Sequence, residues 1–228
     1  MNEKLRRLLK VLTPWLLFYA CLCLFVFWIQ RSLLYFPSHR SPTGPLTAWV
    51  HEGKTMGFGR ELKEPQTVWL MLHGNGGQAS DRDYVLKNLS SEDALYVLEY
   101  PGYGQQPGSP SESAFNQAAL HAYEILSERF PDTPIGVIGE SIGSGPASQL
   151  ANAHRPPEKI VLIVPYDSLL AVAANRYYFL PVSWLLLDGD VPLIVKTHWW
   201  SLNTEQLSDC WNVLQVDSPR VPCSCLEP

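Results

Sequence analysis

One pentapeptide constrains the fold of this 228-residue chain more than any other feature of its sequence. Gly139-Glu140-Ser141-Ile142-Gly143 follows a short apolar run at residues 134–138, and a helical pattern begins at its serine. A strand that turns directly into a helix brings the two elements so close that side chains at either end of the turn would collide, which requires Gly139 and Gly143. The serine is then held at the carboxyl edge of a sheet with its hydroxyl exposed.

Apolar strand patterns and helical patterns alternate along most of the chain. Four continuous apolar runs are typical of buried strands: residues 67–72, 94–99, 134–138 and 160–164. Two shorter strand patterns precede them, at residues 46–51 and 54–58. Helical spacing is found at residues 81–89, 111–130 and 141–154. This alternation predicts an α/β fold with a mostly parallel sheet and helices on both faces.

A run of nineteen residues without a charge lies near the N-terminus, at residues 11–29. A helix needs about 20 apolar residues to cross a bilayer. This run is too long for a cleaved signal peptide and ends without the small residues of a cleavage site. Four basic residues precede it, so the positive-inside rule predicts a cytoplasmic N-terminus with the rest of the chain on the opposite side. The chain is thus predicted to be a single-pass membrane protein.

The predicted organisation has four parts. They are a cytoplasmic N-terminus (1–10), a transmembrane signal anchor (11–31), an α/β core (32–188) and a C-terminal tail of atypical character (189–228). Residues 1–31 contain five basic side chains and one acidic side chain, whereas the rest of the chain is acidic. Nucleic acid is therefore not an expected partner, because domains that bind it are basic. The five cysteines show no disulfide framework or zinc spacing, and neither a metal nor another cofactor is expected.

A glycine-rich loop, HGNGG at residues 73–77, directly follows the apolar run at residues 67–72. Acyl transfer through a serine needs two backbone N–H groups that stabilise a tetrahedral oxyanion. Ile142, the residue after the serine, would supply one, and Asn75 in the loop would supply the other. The neighbouring glycines, Gly74 and Gly76, let the backbone approach a substrate closely. His73 precedes the serine in chain order, which favours a structural role for it.

Three segments carry a resemblance to a known superfamily: LHGNGG (72–77), EYPGYGQQPGSPSE (99–112) and GESIGSG (139–145). Their order and separation resemble the α/β-hydrolase superfamily. With one N-terminal helix and QRSLLYFP at residues 30–37, the chain looks like the membrane-anchored α/β-hydrolase domain-containing proteins. That group includes protein depalmitoylases and lysophospholipid lipases. The resemblance spans about residues 12–188.

The resemblance implies an α/β-hydrolase core and the activity of a serine hydrolase. Its substrate would be a carboxylic ester or thioester, in a lipid or an acylated molecule, cleaved through an acyl-enzyme on Ser141. The oxyanion donors would be Asn75 and Ile142. The loop at residues 164–168 would shape the pocket. The bilayer is the expected membrane partner.

The acid and the histidine of a catalytic triad are left open by the sequence. Both follow the serine in this superfamily, and His154 and His198 are the histidines that do so here. His154 lies about 20 Å down the predicted helix, so His198 is the remaining base. Three carboxylates could supply the acid: Asp167, Asp188 and Asp190.

The tail offers a competing interpretation. Residues 189–228 lack the acid-bearing turn of the superfamily and do not resemble a last strand followed by a helix. The alternative is a truncated or frame-shifted end, which would leave a catalytically defective α/β-hydrolase-fold protein without a complete triad.

Overall fold

A computed structural model of the chain describes residues 2–166 and 168–188, together with the backbone of Val213–Asp217. Its strands are β1 (Thr47–His51), β2 (Lys54–Arg60), β3 (Val68–Leu72), β4 (Ala94–Leu98), β5 (Ile135–Glu140), β6 (Lys159–Ile163) and β7 (Val213–Asp217). Within these residues the strands form one sheet in the order β1-β2-β4-β3-β5-β6-β7. Strands β4, β3, β5 and β6 are parallel, and β1, β2 and β7 add antiparallel pairs at the two edges.

The parallel centre of the sheet determines where the two glycine-containing turns lie. Strands β3 and β5 are hydrogen-bonded neighbours, with Leu72 opposite Gly139 in the register. The carboxyl ends of parallel strands meet at one edge of a sheet, and loops that leave that edge form a shared crevice. The HGNGG loop after β3 and the serine turn after β5 therefore emerge side by side.

In the described part of the chain, α-helices pack on one face of the sheet and short 3₁₀ helical turns pack on the other. The helices are α1 (Glu3–Leu34), α2 (Glu112–Arg129), α3 (Ser144–Gln149), α4 (Leu169–Arg176) and α5 (Val182–Leu185). Helix α2 begins at its N-cap Ser111, whose Oγ accepts a hydrogen bond from the Ala114 N–H at 3.1 Å. Its buried stripe packs with α3 against β3 and β4. On the other face, Ala79 and Val85 pack against Met71, Leu95 and Ile138.

Two predicted helices are shorter or tighter than their spacing suggested. Residues 81–89 form two 3₁₀ turns, Ala79–Asp81 and Asp83–Asn88, because the backbone is interrupted at Arg82. Residues 141–154 are divided into a 3₁₀ turn, the six-residue α3 and a second 3₁₀ turn, Leu150–Asn152. Gly143 and Gly145 both lie in this segment, and glycine is a poor helix former.

The tail contributes a strand that the sequence did not predict. Val213–Asp217 pairs with β6 in antiparallel register, with Asp217 opposite Lys159. The strand therefore covers the edge that β6 would otherwise expose, and an exposed edge invites pairing with other chains. Its sequence, VLQVD, contains two polar residues among five and so does not stand out as a continuous apolar run.

Helix α1 contains the long apolar run and extends it on both sides to 32 residues. In the described part of the chain it is the one helix long and apolar enough to cross a membrane, and none of its most apolar stretch is buried in protein. The helix continues to Leu34, three residues beyond the predicted end of the anchor at residue 31.

Candidate active site

Ser141 occupies a strained turn between β5 and α3. Its φ angle is +48°, in the left-handed region that non-glycine residues rarely adopt. A Cβ on Gly143 would lie 2.0 Å from the Leu72 carbonyl oxygen, and one on Gly139 would lie 2.7 Å from the Ala147 Cβ. Only glycine fits at both positions, as the sequence predicted. Strain of this kind is concentrated at functional sites.

The HGNGG loop is held by polar contacts on both sides. His73 is fully buried, and its Nε2 lies 3.2 Å from Glu99 Oε1, which agrees with the structural role expected for it. The Gly74 N–H donates to Glu140 Oε2 at 2.8 Å. Gly76 adopts a φ of +74°, which glycine accommodates without strain. The loop is thus positioned by contacts to β4 and to the serine turn.

The Asn75 side chain ties this loop to the end of α1. Its Oδ1 accepts hydrogen bonds from the Phe36 N–H at 2.8 Å and the Tyr103 hydroxyl at 2.7 Å, and its Nδ2 donates to the Leu34 carbonyl oxygen at 2.6 Å. Burial raises the pKa of Tyr103 to about 12, so its hydroxyl stays protonated and remains a donor. These contacts orient Asn75 without using its backbone N–H.

Two backbone donors remain beside Ser141. Within the described part of the chain, no hydrogen bond uses the backbone N–H of Asn75 or of Ile142. Both residues line the same pocket as Ser141. An oxyanion that forms at Ser141 would therefore accept hydrogen bonds from two N–H groups that no other described residue uses.

The pocket at Ser141 has a volume of about 350 Å³. Three parts of the chain form its walls: the end of α1 with Leu33, Leu34 and Phe36; the loops with Asn75, Ile142 and Tyr166; and α4 with Leu169, Val172, Ala173, Arg176 and Tyr177. Most of these side chains are apolar, and Arg176 is the one charged residue among them. The cavity therefore suits an apolar group with a polar or anionic end.

Tyr166 forms the wall that the loop at residues 164–168 was expected to supply. Its hydroxyl lies 3.4 Å from the Ile142 carbonyl oxygen, to which it donates, and a Cβ on Gly145 would lie 2.8 Å from the same hydroxyl. Burial raises the pKa of Tyr166 well above its ordinary value, so the ring stays neutral. Tyr166 therefore packs closely over the turn that carries Ser141.

The structure describes only some of the candidate triad residues. Asp167, Asp190 and His198 lie outside the described residues. Asp188 is described and buried, but it does not line the pocket. Its Oδ2 accepts a hydrogen bond from the Tyr35 hydroxyl at 3.1 Å and lies 3.4 Å from Arg31 Nε. His154 is exposed just beyond the Leu150–Asn152 turn.

An ion pair that the sequence did not reveal links the two turns of the site. Arg82 Nε donates to Glu140 Oε2 at 2.7 Å, with 11% and 23% of the two side chains exposed. The same carboxylate accepts from Gly74, and Arg82 Nη2 also donates to the Gly74 carbonyl oxygen at 3.3 Å. Glu140 belongs to the pentapeptide that contains Ser141, and this motif was the one sequence signal for the ion pair. Nothing in the local pattern marked Arg82.

We expect Arg82→Met to destabilise the chain by about 1–3 kcal/mol, because a partly buried carboxylate loses its charged partner. Urea unfolding of the detergent-solubilised chain measures this. Arg40→Met is the matched control, since the Arg40–Asp81 pair has a similar N–O distance of 2.9 Å but its arginine is 72% exposed. An exposed pair contributes at most about 1 kcal/mol. Equal losses in both variants would show that the Arg82–Glu140 link has no special role.

Comparisons with known proteins identify the family. The model of the alpha/beta hydrolase fold family matches residues 68–185, which contain both glycine-rich turns. The chain belongs to this family. Its mixed, mostly parallel sheet is the α/β-hydrolase fold, so the predicted superfamily and fold class are confirmed.

Two individual relatives and one solved structure are also similar to this chain. The chain is 30% identical over 161 residues to lysophosphatidylserine lipase ABHD12 from Xenopus tropicalis, covering 64% of this chain and 42% of that protein. It is 32% identical over 203 residues to an uncharacterized protein of Mycobacterium tuberculosis, covering 82% and 72%. A crystal structure of the Pyrococcus furiosus esterase Pf2001 is similar at 14% identity and a TM-score of 0.49, covering 67% and 70%. The chain thus spans less than half the length of the frog lipase.

Proposed function

We propose that this α/β hydrolase is a membrane-anchored serine hydrolase that cleaves a carboxylic ester or thioester through an acyl-enzyme on Ser141. One observation carries the proposal: Ser141, in a strained turn, lines one apolar pocket together with Asn75 and Ile142, whose N–H groups are unused by the described residues. The similarity to a lysophosphatidylserine lipase supports the same reaction class.

The reaction begins with attack of the Ser141 hydroxyl on the substrate carbonyl while a general base accepts its proton. The tetrahedral oxyanion accepts hydrogen bonds from the N–H groups of Asn75 and Ile142. Loss of one such donor costs about 2.7–4 kcal/mol of transition-state stabilisation in a serine hydrolase. The alcohol or thiol leaves as it takes the proton, and water then hydrolyses the acyl-enzyme. The Asn75 side-chain bonds and the Arg82–Glu140 pair keep both donors in place.

We assign the base to His198 and the acid to Asp167 or Asp190, in keeping with the family's chain order. The assignment rests on the sequence. Asp188 is a weaker choice than it was from sequence alone, because its carboxylate already binds Arg31 and Tyr35.

The pocket supports a lipid or an acylated molecule as substrate. Its apolar walls suit an acyl chain, and the guanidinium of Arg176 would bind an anionic leaving group. One similar protein is named for lysophosphatidylserine, a lipid with this combination of parts. The length and apolar composition of α1 support membrane anchoring. In this proposal residues 1–10 are cytoplasmic, residues 11–31 span the bilayer, and the hydrolase core at 32–188 and the tail at 189–228 lie on the opposite side.

Fluorophosphonate labelling of the full chain in membranes tests the proposal. These probes react with serines that a general base activates, so we expect labelling of the native chain. We expect His198→Ala to slow labelling by about 10³-fold or more, since a serine nucleophile without its base is largely inert. His154→Ala is the matched control and should label at the native rate, because His154 is exposed beyond the Leu150–Asn152 turn. A folded native chain that does not react would contradict the proposal.

A further inference from the structure

A second apolar segment lies beside α1. Residues 169–187 form α4, a turn and α5, and their sequence, LLAVAANRYYFLPVSWLLL, contains one charge, at Arg176. Four of its large apolar side chains are more than half exposed: Tyr178 85%, Phe179 55%, Trp184 88% and Leu187 54%. Large apolar side chains concentrated and exposed in one segment indicate an interaction site in a folded protein.

The opposite side of this segment packs along the C-terminal half of α1. Ala173, Leu180 and Val182 are buried there. Their neighbours on the helix include Leu22, Cys23, Val26 and Leu34. The segment therefore follows α1 back into its apolar run and away from the hydrolase core.

A hydrogen bond shows how far the segment reaches. The Tyr19 hydroxyl donates to the Phe179 carbonyl oxygen at 3.1 Å. Tyr19 precedes Arg31, the first charge after the apolar run, by about 18 Å along the helix at 1.5 Å per residue. The hydrocarbon core of a bilayer is about 30 Å thick. With α1 across the membrane, the turn at Phe179 reaches roughly the middle of that core.

Much of the segment's backbone is hydrogen-bonded within the protein, although among the described residues no hydrogen bond uses the N–H groups of Tyr178 and Phe179. Gln30, which is buried in α1, donates from Nε2 to the Leu185 carbonyl oxygen at 3.1 Å and accepts from the Leu187 N–H at 2.8 Å. Pro181 has no N–H to satisfy, and the Leu180 N–H bonds the Tyr177 carbonyl oxygen at 2.9 Å. Such partners favour a position in lipid, because an unpaired backbone polar group is costly in hydrocarbon.

An apolar seam joins this segment to the Ser141 pocket. Four residues line both that pocket and a second, narrower cavity: Leu33, Leu34, Ala173 and Tyr177. The second cavity continues between α1 and α4 to Val26, Leu180 and Leu186. The second cavity has a volume of only about 30 Å³, so an acyl chain whose carbonyl lies at Ser141 would have to separate α1 from α4 in order to extend along this seam toward the bilayer.

We propose that residues 169–187 are a re-entrant, membrane-embedded element, and that its seam with α1 admits acyl chains from the bilayer directly to Ser141. The lipid of the bilayer that α1 crosses covers the exposed side chains. The inference rests on the proposed function, because it requires α1 to span the membrane. Arg176, the one charge, lines the Ser141 pocket, and its long side chain can keep its guanidinium in polar surroundings.

Depth-dependent quenching tests the position of the segment. The full chain, with its native cysteines replaced by serine or alanine, is labelled with a nitrobenzoxadiazole probe at single cysteines and reconstituted into phosphatidylcholine vesicles. Phe179→Cys and Trp184→Cys report on the segment, Leu16→Cys on α1 and Leu120→Cys on α2. Leu16 and Leu120 are 66% and 41% exposed, so both controls carry accessible probes.

We expect nitroxide groups at mid-chain of the lipid to quench the probes at Phe179, Trp184 and Leu16, and aqueous iodide to quench the probe at Leu120. If lipid nitroxides quench the probe at Leu16 but iodide quenches the probes at Phe179 and Trp184, the result supports the membrane anchor and contradicts the re-entrant element. If iodide also quenches Leu16, the membrane-anchored function fails as well. Two positions on the segment guard against a single variant that misfolds.

Chain-length dependence tests the seam. Val26→Trp fills the far cavity, so we expect it to lower hydrolysis of p-nitrophenyl palmitate in the same vesicles by about tenfold relative to p-nitrophenyl butyrate, whose short chain stays in the Ser141 pocket. An equal effect on both esters, including none, would overturn the seam. Hydrolysis of neither ester by the native chain would contradict the proposed function, and the seam would fall with it.

Discussion

Ser141→Ala is expected to lower hydrolysis of a carboxylic ester by on the order of 10⁴–10⁶-fold and to leave the fold intact. The loss is large because no other group takes over the attack on the carbonyl, while the oxyanion donors retain a small rate over water. Steady-state hydrolysis of p-nitrophenyl butyrate by the detergent-solubilised chain measures the first quantity, and thermal unfolding the second.

Ser141→Gly separates the role of the hydroxyl from that of the backbone. At a φ of +48° a side chain costs about 1–2 kcal/mol, and glycine relieves this strain but loses part of the gain to its greater freedom when unfolded. We therefore expect the same loss of activity as in Ser141→Ala, with unfolding shifted about 0.5–1 kcal/mol in favour of the fold. Activity that survives either change would show that Ser141 is not the nucleophile.

The central strands could be predicted because burial on both faces of the sheet produces a recognisable sequence pattern. Strands buried on both faces read as continuous apolar runs, and β3, β4 and β6 each lie within one residue of a predicted run at either end. The turn at Ser141 could be predicted for a similar reason. Only glycine fits at Gly139 and Gly143, so the local sequence must show it.

The contacts that complete the site have no local signal. Arg82 meets Glu140 across 58 residues of sequence, and Asn75 meets Phe36 across 39. Residues 81–89 have the spacing of a helix, yet the interruption at Arg82 leaves two tight turns. Such pairings depend on which loops the sheet order places side by side, and spacing along the chain does not encode that.

The apolar run of α1 also shows how far the sequence alone can predict contacts. An uncharged run predicts a span but not which of its faces touches protein, because lipid and a protein interior favour the same side chains. Leu33 and Leu34 line the Ser141 pocket, and the Leu34 carbonyl oxygen accepts a hydrogen bond from Asn75. The end of α1 is thus part of the candidate active site as well as the end of a long apolar helix.

Gly143→Ala is expected to destabilise the chain by on the order of 3–5 kcal/mol, the range of severe overpacking. The new Cβ would lie 2.0 Å from the Leu72 carbonyl oxygen and 3.0 Å from that of His73. Both atoms belong to the backbone where β3 ends, so neither can rotate away. A loss of this size is a large part of the 5–15 kcal/mol that typically stabilises a domain.

Gly145→Ala is the matched control, two residues further along the same turn. The closest atom that its Cβ would meet is the Tyr166 hydroxyl at 2.8 Å, at the far end of a side chain that can shift. Alanine also favours the helix α3 by about 1 kcal/mol over glycine, so we expect a net change within about 1 kcal/mol. Urea unfolding of both variants in detergent measures the difference. If the two unfold alike, β3 and the serine turn do not approach as closely as the elbow requires, and the placement of Asn75 beside Ser141 fails with it.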